Sequence, residues 1–349
     1  MRLSTAHAGA LAILVLLAAE PRAQRGADRG DWRHHGGDSG STKYAPLDQI
    51  TAGNVASLRL VWRRPAVEAS VLQAHPKLVV PRNFRSTPLK ANGLLYASNG
   101  LGLAEAFDPA TGATAWMQAV EPSELAGPGA SRNLAYWTGT DGSRIFNVRG
   151  PYLYALDART GNSITSFGEN GRVNLVSGLG ARTTTFRWSA PGPLVVRDVV
   201  VIGGQGWTDD GTQADLPPGD VRAYDARTGR LRWTFHVVPR QGEPGIETWE
   251  RESWKDTGSA KAWSLLSADE ELGYVYVPLS SAANEWYGGE RPGANLYSDG
   301  LVCLDARTGE RKWHFQMVHH DLWDYDNPTA PVLVDITVNG TPIKAVVQV

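Results

Sequence analysis

An all-β fold is predicted by three features of this 349-residue sequence. Short apolar or alternating runs bounded by glycine recur along the chain, which is typical of β-strands, and no long stretch has the 3.6-residue periodicity of an amphipathic helix. A turn motif of the form Asp-x-x-Thr-Gly occurs four times, and in three copies a tryptophan follows four residues after the glycine. A turn and an aromatic residue that repeat together indicate a β-propeller of four-stranded blades.

Each copy of the motif predicts a tight hairpin. The carboxylate of its Asp can accept a hydrogen bond from the backbone two residues later, and its glycine can adopt a positive φ without steric cost. The four copies begin at Asp108, Asp157, Asp225 and Asp305. The tryptophans are Trp116, Trp233 and Trp313, whereas the second copy has Thr165 at that position and Phe167 two residues later.

We expect these indoles to be buried between neighbouring blades. The spacing between copies increases along the chain, which indicates loops that lengthen on a four-stranded unit. Four copies predict about four blades. A β-sandwich of hairpins is the alternative, but it gives no reason for a tryptophan that repeats with the turn. The largest insertions, 203–220, 239–263 and 280–298, are expected on one face of the propeller, where loops build sites.

The overall composition excludes several classes of protein. The net charge is −2 and there is no stripe of Lys and Arg, so a nucleic-acid partner is not expected. The single cysteine, Cys303, rules out an internal disulfide and a CxxCH haem site within this chain. Its apolar neighbours predict a buried strand residue.

Residues 1–23 have the pattern of a secretory signal peptide. Arg2 provides the positive start, residues 11–19 form a short apolar core, and small residues precede Gln24. An uncleaved anchor is the alternative. The expected organisation is a signal peptide at 1–23, a propeller at 24–349 and export to a bacterial periplasm.

The most unusual segment is 319–326, HHDLWDYD, which combines three carboxylates, two imidazoles and two aromatic residues. A buried carboxylate must be paired, hydrogen-bonded or bound to a metal. Charges together with aromatic side chains therefore favour the wall of a cofactor pocket, and a solvated loop with one aromatic anchor is the alternative. Adjacent His319 and His320 point to opposite faces of an extended chain, which argues against a zinc site built from the pair.

An ordered set of motifs resembles the pyrroloquinoline quinone-dependent (quinoprotein) dehydrogenases, and most closely their membrane glucose dehydrogenase-like branch. The resemblance runs from about Trp32 to the last residue. A single turn motif is weak because other propellers share it, whereas the order of the set is specific. Besides the four turns, the set comprises 131–137 (SRNLAYW), 242–245 (GEPG), 247–249 (ETW), 287–289 (YGG) and 319–326.

The resemblance implies an eight-bladed propeller that binds pyrroloquinoline quinone and Ca²⁺ on its axis and oxidises an alcohol or the anomeric carbon of an aldose. Trp263 matches the family's stacking tryptophan, and Arg132 matches the arginine that contacts the quinone. An inter-blade core tryptophan and a surface arginine are the respective alternatives. Asp324 matches the general base, which takes the hydroxyl proton while hydride leaves the adjacent carbon. Asp321 and Asp326 are expected to be structural.

The calcium ligands are implied by the same resemblance. Asn284 lies where the family places an amide or hydroxyl ligand from the fourth blade, although an ungapped count selects Ala283. Other ligands are expected from the loop 203–210. Here an ungapped match places Trp207 at an acidic ligand position, so Asp209 or its neighbour Asp210 serves only if the loop is rebuilt.

The chain lacks the vicinal cysteine pair of the methanol and ethanol dehydrogenase branch, which favours a relative that oxidises glucose, a polyol or a cyclic acid. The expected partners are a sugar or alcohol substrate and an electron acceptor, ubiquinone or cytochrome c, and peripheral association with a membrane is compatible with this role. Two other functions are considered: a non-catalytic scaffold of outer-membrane or secretion machinery, and a carbohydrate-binding propeller.

About four of the eight blades are expected in this sequence. In the family, a lysine that contacts the quinone follows the general base at a distance that falls just beyond Val349. The sequence therefore predicts an N-terminal half of the enzyme that is inactive by itself as a monomer.

Overall fold

The computed structural model describes residues 26–27, 30–78, 80, 84–120, 132, 134–179, 191–204 and 216–349. Within these ranges the regular structure is almost entirely β-sheet, arranged as four antiparallel four-stranded sheets and one hairpin. The prediction of an all-β propeller with four-stranded blades is confirmed.

The four sheets, called blades 1 to 4, follow one another along the chain. Blade 1 contains β1 (Leu89–Ala91), β2 (Leu94–Ser98), β3 (Ala104–Phe107) and β4 (Thr114–Met117). Blade 2 contains β5 (Ala135–Gly139), β6 (Gly142–Arg149), β7 (Tyr152–Asp157) and β8 (Arg172–Asn174). Blade 3 contains β9 (Leu194–Val196), β10 (Val199–Ile202), β11 (Val221–Asp225) and β12 (Leu231–Phe235). Blade 4 contains β13 (Ser267–Asp269), β14 (Tyr274–Pro278), β15 (Gly300–Asp305) and β16 (Arg311–Gln316).

A hairpin of β17 (Val332–Val338) and β18 (Thr341–Val347) follows blade 4. Helices are short in the described ranges. There is an α-helix at Ala69–Ala74. The 3-10 helices are Val55–Ser57, Ile246–Thr248, Glu250–Lys255 and Gly288–Glu290.

Each blade is a meander with its strands in chain order, and in the later blades β5 contacts β9, β9 contacts β13, and β13 contacts β17. The first strands therefore surround a common axis. Apolar side chains from facing sheets form one core between blades 1 and 2, another between blades 2 and 3, and a third between blades 3 and 4. Cys303 belongs to β15 and is buried, and burial raises the pKa of its thiol to about 12.

Strand direction sorts the connections onto two faces. Each Asp-x-x-Thr-Gly turn follows the third strand of a blade, so all four turns lie at one end of the sheets. The segments between second and third strands, and those between blades, lie at the opposite end, which we call the loop face. The long segments 236–266, 279–299 and 317–331 are at the loop face, and so are residues 203–204 and 216–220, the described ends of the segment 203–220. The sequence predicted this face for the insertions 203–220, 239–263 and 280–298.

The turns have the predicted chemistry. Asp108 Oδ1 accepts hydrogen bonds from the backbone N–H groups of Ala110 and Thr111, both at 2.8 Å, and from the Thr111 hydroxyl at 3.0 Å. The other three copies repeat the backbone pair. The glycine of each turn has a φ between 70° and 75°, a conformation that costs a residue with a Cβ about 1–2 kcal/mol.

The repeated tryptophans connect one blade to the next. Trp116 Nε1 donates a hydrogen bond to the carbonyl of Ala158, and Trp233 Nε1 donates one to that of Ala306, both at 2.9 Å. Each indole also lies against the glycine of the following turn, so that a Cβ on Gly161 or Gly309 would stand 2.5–2.7 Å from ring carbons. Trp116 and Trp233 are buried, as predicted.

Two junctions differ from this arrangement. Between blades 2 and 3, buried Phe167 takes the place of the indole, and the N–H of Gly168 donates to the carbonyl of Thr228 at 2.9 Å. Trp313 is 38% exposed, so the prediction that it is buried is wrong. The physical reason is that β17 and β18 present no Asp-x-x-Thr-Gly turn, so the contact that covers the other indoles is missing.

An N-terminal segment, residues 32–41, which we call the clasp, connects blade 1 to the blades that come later. Trp32 exchanges two backbone hydrogen bonds with Lys90 of β1, at 2.7 and 2.8 Å. The carbonyl of Ser39 accepts from the N–H of Ala268 at 2.8 Å, and that of Gly40 accepts from the N–H of Leu333 at 2.9 Å. This clasp joins β1, β13 and β17.

Two glycines allow the energy of the contact between blades to be measured separately from the energy cost of a positive φ. Gly309 and Gly340 both have positive φ, at 75° and 79°, but only at Gly309 would a Cβ meet an indole, whereas at Gly340 it meets nothing within 4 Å. We expect Gly309→Ala to lower the free energy of unfolding by about 1–3 kcal/mol more than Gly340→Ala does, the usual cost of overpacking. Urea denaturation of both variants measures this difference, and equal losses would contradict the role of the contact.

Candidate active site

Arg132 and Trp263 meet at the loop face. Arg132 precedes β5 and Trp263 precedes β13, so both stand where inner strands begin. The guanidinium carbon of Arg132 lies 5.1 Å from the centre of the Trp263 ring. Arg132 Nε and Trp263 Nε1 are buried and have no hydrogen-bond partner in the described part of the chain. Burial lowers the pKa of Arg132, which shows that its charge is poorly solvated. This pair fits a flat anionic ligand that would supply the missing acceptors.

Asp324 lies on the segment between β16 and β17. It is half-buried, and its Oδ1 is buried without a hydrogen-bond partner among the described residues. Burial raises the pKa of Asp324, the charge of Lys261 opposes that rise, and Asp321 adds to it. A raised pKa brings a carboxylate closer to the working range of a general base.

Lys261 is a site residue that we did not predict from the sequence. It is 4% exposed, and its Nζ donates to Ser259 Oγ at 3.1 Å and to Glu285 Oε1 at 3.4 Å. Its charge also acts on Asp324. A signal was available, because Lys261 stands between Ala260 and Ala262 in a buried stretch and lysine is seldom fully buried without a partner.

Around Asp324 the usual burial of residue types is reversed, because a charged residue is buried and two aromatic residues are exposed. Asp321 is 1% exposed, whereas Trp323 and Tyr325 are 76% and 68% exposed. The prediction that the aromatic residues of this run help to form a pocket wall therefore does not describe these two side chains. Asp326 Oδ1 accepts from the N–H of Ser281 at 3.1 Å, and burial raises the pKa of Asp326 to about 7.

A shared hydroxyl joins two further carboxyl groups. Ser281 Oγ lies 2.8 Å from Asp299 Oδ1 and makes a short hydrogen bond with Asp321 Oδ2. The hydroxyl has one hydrogen and can donate to only one of them, so the other carboxyl group must donate to it. Burial raises the pKa of Asp299 to about 8. We therefore assign the proton to Asp299 at neutral pH.

Asn284 is connected to this cluster through Arg291. The carbonyl of Asn284 accepts from Arg291 Nη2 at 3.0 Å and from Nε at 3.3 Å, and Arg291 Nη2 also donates to the carbonyl of Asp321. Asn284 Oδ1 accepts from the N–H of Trp286 at 3.0 Å, so one lone pair of the amide remains for a ligand. Arg291 is fully buried and was also missed, because nothing in its local sequence predicts burial.

The predicted metal ligands, Asn284 and Asp209, stay predictions. Asp209 lies outside the described residues, as does Trp207. In the part of the chain that is described, no three His, Cys, Asp or Glu side chains are grouped so that they could hold a metal ion. His320 Nδ1 lies 2.8 Å from the carbonyl of Gly293, whereas His319 is exposed.

A small cavity, partly open to solvent, lies where the first strands of blades 2 to 4 and β17 begin. His34, His35 and Ser41 of the clasp line it, whereas Asp324 and Trp263 do not. The structure brings Arg132 to Trp263, Lys261 to the neighbourhood of Asp324, and Asn284 to Asp321 through Arg291. We predict from the family resemblance that Asp324, Trp263, Arg132 and Asn284 converge on one axial cavity, and this remains a prediction.

Fold and site together define a propeller whose loop face carries an aromatic and cationic pair, Arg132 with Trp263, and a half-buried carboxylate, Asp324, on which the charge of Lys261 acts. Residues 32–349 match the family model described as PQQ: Glucose/ethanol/alcohol dehydrogenase, beta-propeller domain. The chain belongs to this family of pyrroloquinoline quinone-dependent dehydrogenases. The predicted family is thereby confirmed, including relatives among the quinoprotein glucose dehydrogenases.

Curated relatives and solved structures agree. The chain is 33% identical to the quinate/shikimate dehydrogenase (quinone) of Acinetobacter baylyi, over 91% of this chain and 41% of that protein. It is 31% identical to the glycerol dehydrogenase large subunit of Gluconobacter oxydans, over 91% of this chain and 43% of that one. The quinohemoprotein alcohol dehydrogenase of Comamonas testosteroni superimposes with a TM-score of 0.74 at 27% identity, over 91% of this chain and 46% of that one.

A europium-containing methanol dehydrogenase superimposes with a TM-score of 0.72 at 25% identity, over 91% of this chain and 54% of that one. The chain thus spans about half the length of the solved relatives, and somewhat less of the curated ones. No helix in the described ranges has the length and apolar character needed to cross a membrane.

The proton assigned to Asp299 predicts a pH dependence of stability. Burial raises the folded-state pKa of Asp299 from the ordinary value of 3.8 to about 8. Between these values the folded chain holds a proton that the unfolded chain has released, so the free energy of unfolding falls as pH rises, by at most about 1.4 kcal/mol per pH unit. Asp299→Asn mimics the protonated carboxyl, and we expect it to make this slope shallower and to stabilise the chain at pH 8.

Urea denaturation from pH 5 to 8 measures the slope. The matched control is Asp305→Asn, because hydrogen bonds in its turn keep the pKa of Asp305 below its usual value despite partial burial. Asp305→Asn should destabilise the chain at neutral pH. An unchanged slope in Asp299→Asn would show that Asp299 is ionised in the folded chain.

Proposed function

We propose that this protein is a periplasmic quinoprotein dehydrogenase that oxidises an aldose, a polyol or another alcohol. Bound pyrroloquinoline quinone would supply the carbonyl that accepts the hydride. The observation that carries the proposal is the pairing of Arg132 with Trp263, in which the guanidinium carbon lies 5.1 Å from the centre of the indole ring. Arg132 Nε and Trp263 Nε1 are buried and have no partner among the described residues. Trp263 is two residues after Lys261, whose charge acts on Asp324. A non-catalytic scaffold or a lectin-like propeller has no need for such a pair together with a carboxylate whose buried oxygen has no partner.

The residues divide the work of the reaction. Trp263 would offer its ring to the tricyclic face of the quinone, and Arg132 would hold one of its carboxylates. Asp324 would take the hydroxyl proton of the substrate at its unpartnered Oδ1. Lys261 would limit the rise in the pKa of Asp324 and so favour its ionised form, which is the form that can take a proton.

Calcium is the metal that we propose for this site, as a Lewis acid on the quinone. Asn284 and Asp209 are the proposed ligands. The amide oxygen of Asn284 keeps one lone pair that would bind a hard cation, and Glu285, the next residue, carries a carboxyl group. The quinone itself would provide further oxygen ligands.

The signal-like segment 1–23 supports the proposed export to the periplasm, and ubiquinone or a cytochrome is the proposed electron acceptor. The absence of a vicinal cysteine pair favours a sugar, polyol or cyclic acid as substrate over methanol. We also propose that turnover needs more of the ring than these 349 residues, since Trp313 lacks the turn that would cover it.

Binding of the quinone tests the site without requiring turnover. We expect Arg132→Ala to weaken quinone binding at least about tenfold, the cost of a lost charge-assisted hydrogen bond of roughly 1.5–3 kcal/mol. The matched control is Arg159→Ala, which removes an arginine from the turn of blade 2 at the opposite face. Calorimetric titration with the quinone in the presence of Ca²⁺ measures both, and equal affinities would remove Arg132 from the site.

Turnover tests the general base. In the protein expressed from its complete gene, Asp324→Asn should lower kcat by about 10²–10⁴-fold, since an amide cannot take a proton. The assay is reduction of an artificial dye with aldoses, polyols and cyclic hydroxy acids as substrates. Asp335→Asn, on β17, is the control. Full activity of Asp324→Asn would exclude Asp324 from the mechanism.

A further inference from the structure

We propose that Asp321 is the positioning residue for Asp324, an inference that rests on the function proposed above. Its carboxylate accepts hydrogen bonds from the backbone on both sides of Asp324. The N–H of Trp323 donates to Asp321 Oδ1 at 3.1 Å, and the N–H of Tyr325 donates to Asp321 Oδ2 at 2.8 Å. The backbone N–H groups of the residues before and after the proposed base are therefore both held by one buried side chain.

The conformation of Asp324 requires such support. Its φ is 55°, in the left-handed region that residues with a Cβ seldom occupy, and His320 at the start of the run has a φ of 49°. Strained residues of this kind persist when their surroundings hold them in place. The side chains of Trp323 and Tyr325 cannot do so, because both project into solvent. The loop is thus held mainly through its backbone.

Asp321 is itself fixed to the loop of blade 4. Ser281 Oγ makes a short hydrogen bond with Asp321 Oδ2, and Arg291 donates to the carbonyl of Asp321 while it also holds the carbonyl of Asn284. Asp321, Ser281 and Arg291 are each at most 1% exposed. The position of the base therefore follows the position of the 281–291 segment of blade 4.

The chemistry of the support requires a carboxylate. Its two oxygens receive three hydrogens, from two amides and one hydroxyl, and both must be acceptors. In Asp321→Asn one oxygen becomes an NH₂ group, which can only donate, so at least one flanking amide loses its partner. The size of the side chain is almost unchanged, so the effect reports hydrogen bonding and not packing.

Amide hydrogen exchange tests the positioning directly. In the unmodified protein, the amides of Trp323 and Tyr325 should exchange slowly although their side chains are exposed. In Asp321→Asn, exchange within 321–326 should become at least about tenfold faster, the loss of one net hydrogen bond of about 1.5 kcal/mol. The matched control is Asp305→Asn, because Asp305 also accepts from two backbone amides, at 3.0 and 2.9 Å, in a turn at the opposite face. It should leave exchange within 321–326 unchanged.

Kinetics of the complete enzyme provide the second measurement. Asp321→Asn should lower kcat by about 10–100-fold, as is usual for residues that orient a reacting group, with KM and quinone affinity within about twofold of the unmodified protein. Asp305→Asn should change none of the three. A merely structural role for Asp321 would instead affect stability, affinity and kcat together.

The outcomes separate the inference from the proposed function. Fast exchange of Trp323 and Tyr325 in the unmodified protein would overturn the positioning without any variant, and so would unchanged exchange or unchanged kcat in Asp321→Asn. If the loop loosens but the unmodified complete enzyme oxidises no alcohol or sugar, the proposed function fails, and Asp321 holds the loop without positioning a base. Loosening together with a selective loss of kcat supports the proposal.

Discussion

The contact between an indole and the turn of the next blade is the constraint on which the arrangement of the sheets depends. A meander of four strands can form by itself, but its exposed faces must find a neighbour at a defined angle. Trp116 and Trp233 define that neighbour, because each donates to one carbonyl and covers one glycine in the following turn. Trp62 does the same on blade 1, with Nε1 donating to the carbonyl of Pro109 at 2.9 Å. The glycine of the motif is therefore required for docking as well as for the turn.

The loop face depends on this regular stacking but does not share its regularity. Arg132, Trp263 and Asp324 belong to three different segments between strands, and only the ordered rotation of the blades brings such segments together. The segment that carries Asp324 is held there by hydrogen bonds of buried polar groups. Ser281, Arg291 and Asp321 join two loops through hydrogen bonds, and buried groups of this kind must be satisfied together or not at all. The repeating blades thus support a network of polar side chains that does not repeat from blade to blade.

Much of the fold could be predicted because its signals are local and repeat. The turns, their glycines and the buried Trp116 and Trp233 follow from residues a few positions apart. The exposure of Trp313 could not be predicted in this way, because burial of an indole depends on a turn that comes later in the chain. Within the site, the family resemblance identified Arg132 and Trp263, which the structure pairs. Lys261 and Arg291 were missed, since their roles arise only where separate loops meet.

The clasp at Ser39 and Gly40 has a consequence for the order in which the chain folds. Contacts within a blade span tens of residues, so each meander can form soon after it leaves the ribosome. The bonds from Ser39 to Ala268 and from Gly40 to Leu333 close far longer loops and wait for the late strands to be synthesised. Until then Ser39 and Gly40 lack these partners, although Trp32 of the same segment can already pair with Lys90 of blade 1. The clasp is thus completed in two stages, early at β1 and late at β13 and β17.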